Sequence, residues 1–533
     1  VTAATAALVG SRTLLRASVR HDGRLLAPWV AVVTALSVSS VVVYPWVFPD
    51  QASRARLAGA VGSNPALGLI FGPARDLSTV DGFNAWRSLA LGGFLLALGA
   101  ALTVVRTTRG QEDSGQAELL ASGVVGRSAR LLSGVGLALL GSVAAGVVAG
   151  VATALCGGDW SSSLLLGATF TASGWMFAAV AAVAAQIGSD ARTANSLAVG
   201  TLGALYVLRG FCSALDLPAW TLWVNPLGWT LETHPAAGDH WAPLLLAAAL
   251  TLVLVLVAFV LQGRRDFGQG SVAPRPGPAR GTTRSTWALA VRLHRGAILT
   301  WTVAFLALGV VFGYFTTSVT DLLASDTAVQ QILAAGATGP EALTGAFVRT
   351  ICSLVGILAA VPGVQVLLRV RAEELDDRVE PVLAGAVARP RYYASHVLLG
   401  LATATGAVLV AGTLIAALAA GADLGITFGE AFLRALATVP AVWTVVAVPV
   451  AVVGARPAAA PVAWLGVLVS FVLTLLGPTF GLDEWVLGIS PFRHVPEVVV
   501  ADPDWSGLGW VTLVTALLVG VGVAGFRRRD LAR

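Results

Sequence analysis

Residues 109–127 read RGQEDSGQAELLASGVVGR, and residues 371–389 read RAEELDDRVEPVLAGAVAR. Arg109, Glu112, Glu118, Gly123, Val125 and Arg127 return 262 positions later as Arg371, Glu374, Glu380, Gly385, Val387 and Arg389. Each copy is a short polar stretch set between two long apolar ones, so one membrane unit is written twice. The match spreads outward. Arg87 meets Arg349 at the same offset, and Val19-Arg20 and Trp29 meet Val291-Arg292 and Trp301 at 272. Near the end of each half, Trp241 and Arg264-Arg265-Asp266 meet Trp505 and Arg528-Arg529-Asp530 at 264.

Apolar residues make up 56% of the chain and charged residues 12%, which excludes a soluble globular protein. Spans of about 20 apolar residues suffice to cross a hydrocarbon core of ~30 Å. They are expected at 26–48, 83–105, 131–155, 163–187, 194–214 and 241–262, and again at 298–318, 347–368, 395–420, 431–455, 458–478 and 507–526. Six spans per half give both halves the same orientation. The expected fold is therefore an all-α polytopic membrane protein, with twelve transmembrane helices as two parallel six-helix repeats. The halves are 1–262 and 286–533, joined by a flexible Gly- and Pro-rich cytosolic linker at 263–285.

All 34 basic residues are arginine. If the N-terminus is cytosolic, 26 of the 34 fall in cytosolic segments, and only Arg54, Arg56, Arg75, Arg87, Arg209, Arg349, Arg434 and Arg493 do not. That asymmetry places both termini in the cytosol. It also explains the net charge of +5 without a nucleic-acid partner. Arg12, Arg16 and Arg20 recur at spacing four, so the segment 5–24 either lies along the inner leaflet or is a solvated terminus. No cleavable signal peptide is read there, because the segment is studded with arginine. Asn225-Pro226 and Ser490-Pro491 open outer segments that should start short helices at proline. Glycine pairs such as Gly146 and Gly150 report close helix packing.

Several chemistries are missing. Without lysine there is no phosphate-binding P-loop, so the chain carries no standard ATPase of its own. The six histidines are scattered, with no HExxH or paired ligand spacing, and no metal site is expected. Cys156, Cys212 and Cys352 form neither a zinc pattern nor a disulfide framework and read as inert thiols. The expected spans hold no Asp or Glu, where an ion-coupled transporter usually places its relays. Acidic residues gather instead in the two repeated stretches. Each stretch reads as a short helix whose glutamates either dock a partner or complement the helix dipole.

The repeated Arg-, Glu- and Val-bearing stretch, between the second and third spans of a six-span half, resembles that of ABC-2-type exporter permeases. The likeness is to the fused twelve-span permeases of actinobacterial drug and polyketide-antibiotic exporters, including mycobacterial tetronasin-type multidrug pumps. It implies a type V exporter-like fold in which each stretch is a coupling helix seated in a separate soluble ATP-binding subunit. Arg109, Glu112, Glu118 and Arg127, with Arg371, Glu374, Glu380 and Arg389, would contact or brace that interface. Two copies of the subunit would serve one permease chain, and ATP and Mg would be bound by the partner, with no cofactor held here. The first copy departs from the pattern at Gln111, Asp113 and Gln116, so the two couplings would be unequal.

The resemblance also implies a substrate path lined by the second and fifth spans of each half. These present Phe94, Tyr206, Phe211, Phe347, Trp464 and Phe471, which can hold a bulky amphipathic molecule or pack against neighbours and lipid. Arg87 and Arg349, near outer span ends, form a gate, attract anions or snorkel to headgroups. The function implied is an ATP-driven exporter permease for hydrophobic drugs or antibiotics, with no catalytic residues of its own. The alternatives are an ion-coupled antiporter and an integral-membrane transferase using Asp50, Asp76 or Asp81.

Overall fold

The computed structural model describes all residues except 1–6, 63–67, 69, 122, 124, 215–217, 267, 272–284, 318–339, 477–482, 499–502 and 531–533. It contains no strand among the described residues, and twelve of its helices are long and apolar enough to cross a membrane. Two compact units emerge, Val1–Gly277 and Pro278–Arg533.

In the first unit an amphipathic helix α1 (Ser11–Asp22) leads into α2 (Ala27–Val47) and α3 (Val80–Val105). A short helix α4 (Gln116–Ala121) precedes α5 (Ala129–Leu155), α6 (Trp160–Ile187) and α7 (Ala191–Ala214). Asn225 caps α8 (Pro226–Leu231), its carboxamide oxygen accepting the Leu227 N–H at 3.0 Å, and α9 (Pro243–Arg264) closes the unit. The α6 helix is the hub, packed on α3, α5, α7 and α9. Its small residues make this possible, because Ala178, Ala181, Ala182 and Ala185 are completely buried among their neighbours.

The second unit repeats the scheme. Its helices are α10 (Thr286–Thr317), α11 (Pro340–Leu375), short α12 (Val379–Leu383) and α13 (Arg389–Ala420). Then follow α14 (Phe428–Ala437), α15 (Val439–Ala455), α16 (Leu465–Phe471) and α17 (Ser506–Arg528). A 3-10 turn, Pro491–His494, stands where α8 stands in the first unit and likewise begins at proline.

In lipid there is no water to expel from between helices, so close backbone approach carries much of the packing. Gly146 of α5 and Gly167 of α6 face each other, and a Cβ on either would lie 2.3 Å from the other's carbonyl oxygen. Gly454 of α15 and Gly522 of α17 repeat the device, with a Gly454 Cβ falling 2.1 Å from the Gly522 oxygen. Backbone cannot step aside as a side chain can. Gly146→Leu is expected to destabilise the first unit by more than about 3 kcal/mol, read as loss of the monodisperse peak in detergent. Wild-type behaviour of that variant would refute the contact.

Two expectations are corrected. The acidic stretches are not single short helices. The α3 helix continues through a wide turn at Arg106–Gly110 to Gln111–Asp113, so Glu112 rides on the end of a spanning helix while Glu118 sits on α4. Likewise Glu374 lies at the end of α11 and Glu380 on α12. The break is set by a left-handed residue in each copy, Gly115 at φ 75° and Asp377 at φ 55°, which ends the helix before the short one begins. Spanning helices therefore do carry acidic residues, at their ends. Nor is the start of the 263–285 segment a free linker. Ser271 donates its N–H to the Gln186 carbonyl at 2.9 Å, and Gln269 is held as described below.

Candidate functional site: two buried arginine–carboxylate clusters

Glu112 is a carboxylate with 4% of its side chain exposed, and three guanidiniums converge on it. Arg109 donates through Nη1 at 2.7 Å, Arg130 through Nη2 at 2.8 Å and Arg265 through Nη2 at 2.9 Å. The arginines then reach onward. Arg109 Nε donates to the Ala185 carbonyl at 2.6 Å and its Nη2 to the Gln269 carbonyl at 2.7 Å. Arg265 donates through Nε to Gln186 Oε1 at 2.7 Å and through Nη1 to the Gln269 carbonyl at 2.9 Å. Arg127 donates to the Arg265 carbonyl, while Gln262 Nε2 returns a bond to the Arg127 carbonyl at 3.1 Å. Beside Glu112, Asp113 accepts the Ala191 N–H that opens α7, at 2.7 Å. One carboxylate thus ties the end of α3 to the ends of α6 and α9 and the start of α5, and its neighbour adds α7.

The second unit rebuilds this knot with matching residues. Arg371 Nη1 donates to Glu374 at 3.3 Å, and Arg529, the counterpart of Arg265, closes on the same carboxylate. Arg529 Nε also donates to the Gly454 carbonyl at 3.0 Å, and Arg389 Nη1 donates to the Arg529 carbonyl at 2.8 Å. Desolvated ion pairs of this kind depend on their remaining donors and acceptors being placed. Most are, and among the described residues Arg529 Nη1 and Gln262 Oε1 are buried without a hydrogen-bond partner.

The copies differ in a coherent way. Glu373 accepts from Arg369 at 3.1 Å, with Arg378 at 4.0 Å. The three matching positions in the first unit, Gln111, Thr107 and Gln116, are all neutral. Conversely Arg130, the third arginine on Glu112, has Tyr392 as its counterpart. Each unit therefore adds ion pairs of its own at this end, at different places.

Glu118 and Glu380 have the opposite character. Both are exposed on short helices, and among the described residues no cation pairs with either. Leu119 is 77% exposed beside Glu118, and Leu375 is 60% exposed just before the second turn. Acidic and apolar groups side by side on loops anchored from beneath suit a protein partner. Of the eight residues expected to couple, Arg109, Glu112, Arg127, Arg371, Glu374 and Arg389 are braces, and Glu118 and Glu380 face outward. Arg130, Arg265 and Arg529 are the braces that sequence reasoning left unassigned. The 264-residue repeat was the signal for Arg265 and Arg529, whereas Arg130, whose counterpart is Tyr392, had none.

Within each unit the expected substrate-path residues have different surroundings. Phe94 and Tyr206 meet edge-on at 4.9 Å, and Tyr206 donates to the Ile70 carbonyl at 2.7 Å, which makes them packing residues of the first unit. Arg209 lies over the Tyr206 ring at 4.3 Å, fully buried, and donates to that same carbonyl at 2.8 Å. Phe211, Trp464 and Phe471 are exposed. Phe347 falls within α11, but its side chain lies outside the described residues. The twin arginines part company: Arg87 donates to Ser40 Oγ at 3.1 Å, whereas Arg349 pairs with Glu497.

That last pair exposes a further repeat at offset 265, Asn225-Pro226 with Glu232 and Ser490-Pro491 with Glu497. Glu232 takes Arg75 at 3.2 Å where Glu497 takes Arg349. Burial and the Arg75 guanidinium hold the neighbouring His234 imidazole below its ordinary pKa. The aspartates considered for transferase chemistry are engaged in hydrogen bonds with neighbouring backbone and hydroxyl groups. Asp50 accepts the Ser53 N–H at 2.6 Å, and Asp81 accepts the Asp159 N–H at 2.9 Å. Partial burial pushes the Asp76 carboxyl up, but hydrogen bonds from Ser78 and Thr79 outweigh it and leave the pKa lowered. Among the described residues no His, Cys, Asp and Glu side chains gather as a metal site, and all three cysteines are free thiols.

Comparison with known proteins finds similarity over nearly the whole length. A family model described as "Multidrug efflux system permease Rv1217c, C-terminal domain" matches residues 52–261 and 284–527. The multidrug efflux system permease protein Rv1217c of Mycobacterium tuberculosis (strain ATCC 25618 / H37Rv) is 37% identical over 538 residues, covering 98% of this chain and 95% of that one. With its twelve spanning helices and a knot repeated in both units, the chain belongs to the Rv1217c family of multidrug efflux system permeases.

Proposed function

We propose that this chain is the membrane-spanning permease of an ATP-driven exporter for hydrophobic and amphipathic drugs or antibiotics. Two copies of a soluble ATP-binding subunit dock on the α4 and α12 loops and hold the ATP and Mg. Glu118 and Glu380 contact them, and the Glu112 and Glu374 knots carry the resulting push into the ends of the spanning helices. Both termini lie in the cytosol, on the same side of the plasma membrane as these loops. The observation that carries the reading is the division of each repeat into a buried brace and an exposed acidic tip. A rigid brace beneath a mobile tip would only anchor the loop. A brace that joins several helix ends turns a load on the tip into movement of the unit.

The test is the mass of the intact complex extracted gently from its native membrane. Two copies of one ATP-binding protein per 54.4 kDa chain are expected. Reversing Glu118 and Glu380 to arginine should abolish that association, while the chain alone keeps its wild-type thermal midpoint. Surface substitutions of this kind shift stability by only about 0.5 kcal/mol. A lone chain that transports in ATP-free vesicles under an ion gradient would establish an antiporter instead.

A further inference from the structure

At the arginine-rich end of the first unit, α1 passes into α2 through a tight turn at Gly23–Leu25 and packs on the start of α5. Ser18 Oγ and Ser133 Oγ are 3.2 Å apart at that contact. Beside it a groove of about 730 Å³ runs between α2 and α5. Val19 and Gly23 stand at its mouth, and Ala35, Val38, Ala144 and Val148 line its far end. From Gly23 to Val38 the chain rises about 22 Å at 1.5 Å per residue, more than the ~15 Å of hydrocarbon in one leaflet. Ala31, Ala35, Ala144 and Val148 are exposed, so the groove is open along its side. In the second unit the corresponding helices α10 and α13 close up, with Gly309 against Leu414 and Gly313 against Leu418.

The mouth is cationic. Arg16 and Arg20 each precede a mouth residue by three positions, Val19 and Gly23, which sets them on the helix face above the groove. Both are exposed, as is Arg24, and among the described residues no carboxylate pairs with any of the three. Asp22 is the acid nearest in sequence, and His21 Nδ1 lies 3.2 Å from it. An apolar channel as long as an acyl chain, ending under unpaired guanidiniums, matches an amphiphile with an anionic head. Arginine binds a phosphate diester in a forked geometry, whereas a zwitterionic head brings its own ammonium against the cations.

We propose that this groove is a lipid site, holding one acyl chain of an anionic phospholipid whose phosphate rests on Arg16 and Arg20. The full chain, purified in detergent supplied with equal amounts of phosphatidylglycerol and phosphatidylcholine, is assayed for lipid retained per chain. Wild type should retain phosphatidylglycerol preferentially. Arg16→Gln with Arg20→Gln should lower that preference about thirty-fold, the effect expected of two arginines at a membrane surface, and leave phosphatidylcholine retention unchanged. Ala35→Phe with Ala144→Phe fills the groove at two exposed positions and should release both lipids, with an unchanged elution profile showing that the fold survives. Retention that ignores the arginines overturns the proposal, as does phosphatidylglycerol retention undiminished by the filled groove.

Discussion

Glu112→Ala is expected to leave the first unit unable to hold its fold, at a cost of about 3–5 kcal/mol. The size follows from what stays behind. Arg109, Arg130 and Arg265 would keep three buried positive charges at one place with no carboxylate between them. Asp113 does not substitute, because its carboxylate caps α7 through the Ala191 N–H. Glu112→Gln keeps the volume and loses the charge, so it should fail nearly as badly. That separates electrostatic bracing from packing. Salt should do little to either variant, since a knot closed off from water is poorly screened. Glu118→Ala, six residues away on the exposed face, is the control and should leave the thermal midpoint where it is. If Glu112→Gln melts with wild type in detergent, the knot does not hold these helix ends together, and Glu112 belongs to the docking face after all.

The helices and the twofold repeat were legible because both are periodic. Apolar runs long enough to span a membrane survive any tertiary context, and a duplicated stretch is seen by alignment with itself. The split between brace and tip was not legible. Glu112 and Glu118 sit six apart on what reads as one helix, and only the left-handed residue between them, Gly115 in one copy and Asp377 in the other, separates their environments. The Ser-Gly and Asp-Asp pairs were the available signal, since both residue types favour helix ends. The partners of Glu112 were hidden for a different reason. Arg130 and Arg265 lie 18 and 153 residues away, so no local pattern joins them to it. The same holds for Arg349 and Glu497, which required the 265-residue offset to be noticed first. For the drug path, aromatic content alone could not separate packing residues such as Phe94 and Tyr206 from exposed ones such as Phe211.

Arg529→Ala should damage the protein more than Arg265→Ala, although the two residues are counterparts. Without Arg265, Glu112 still holds Arg109 and Arg130. Without Arg529, Glu374 keeps Arg371 at 3.3 Å and, among the described residues, no other cation. Arg529 also holds the end of α15 through the Gly454 carbonyl and lies over the Phe526 ring at 4.8 Å, which stacks on Tyr393 at 4.5 Å. Tyr393 in turn donates to the Val450 carbonyl at 2.6 Å, so the disturbance runs into the close contact between α15 and α17. A loss of about 3–5 kcal/mol is expected, the range for breaking one partner out of a buried pair. Removing both charges together has a different consequence. Glu374→Leu with Arg529→Met removes the buried carboxylate together with its nearer cation and leaves Arg371, 16% exposed, without that partner. Exchanging a buried pair for apolar groups is often neutral or stabilising. The double variant should therefore melt well above Arg529→Ala and keep its Glu380 tip intact for the proposed partner. Its transport rate then separates two roles of the knot. Restored folding with restored transport means that the second knot only holds helix ends together, whereas restored folding without transport means that its polarity is needed to carry the load. A double variant no more stable than Arg529→Ala would show that Arg529 acts through the α15 carbonyls and the Phe526 ring instead of through Glu374.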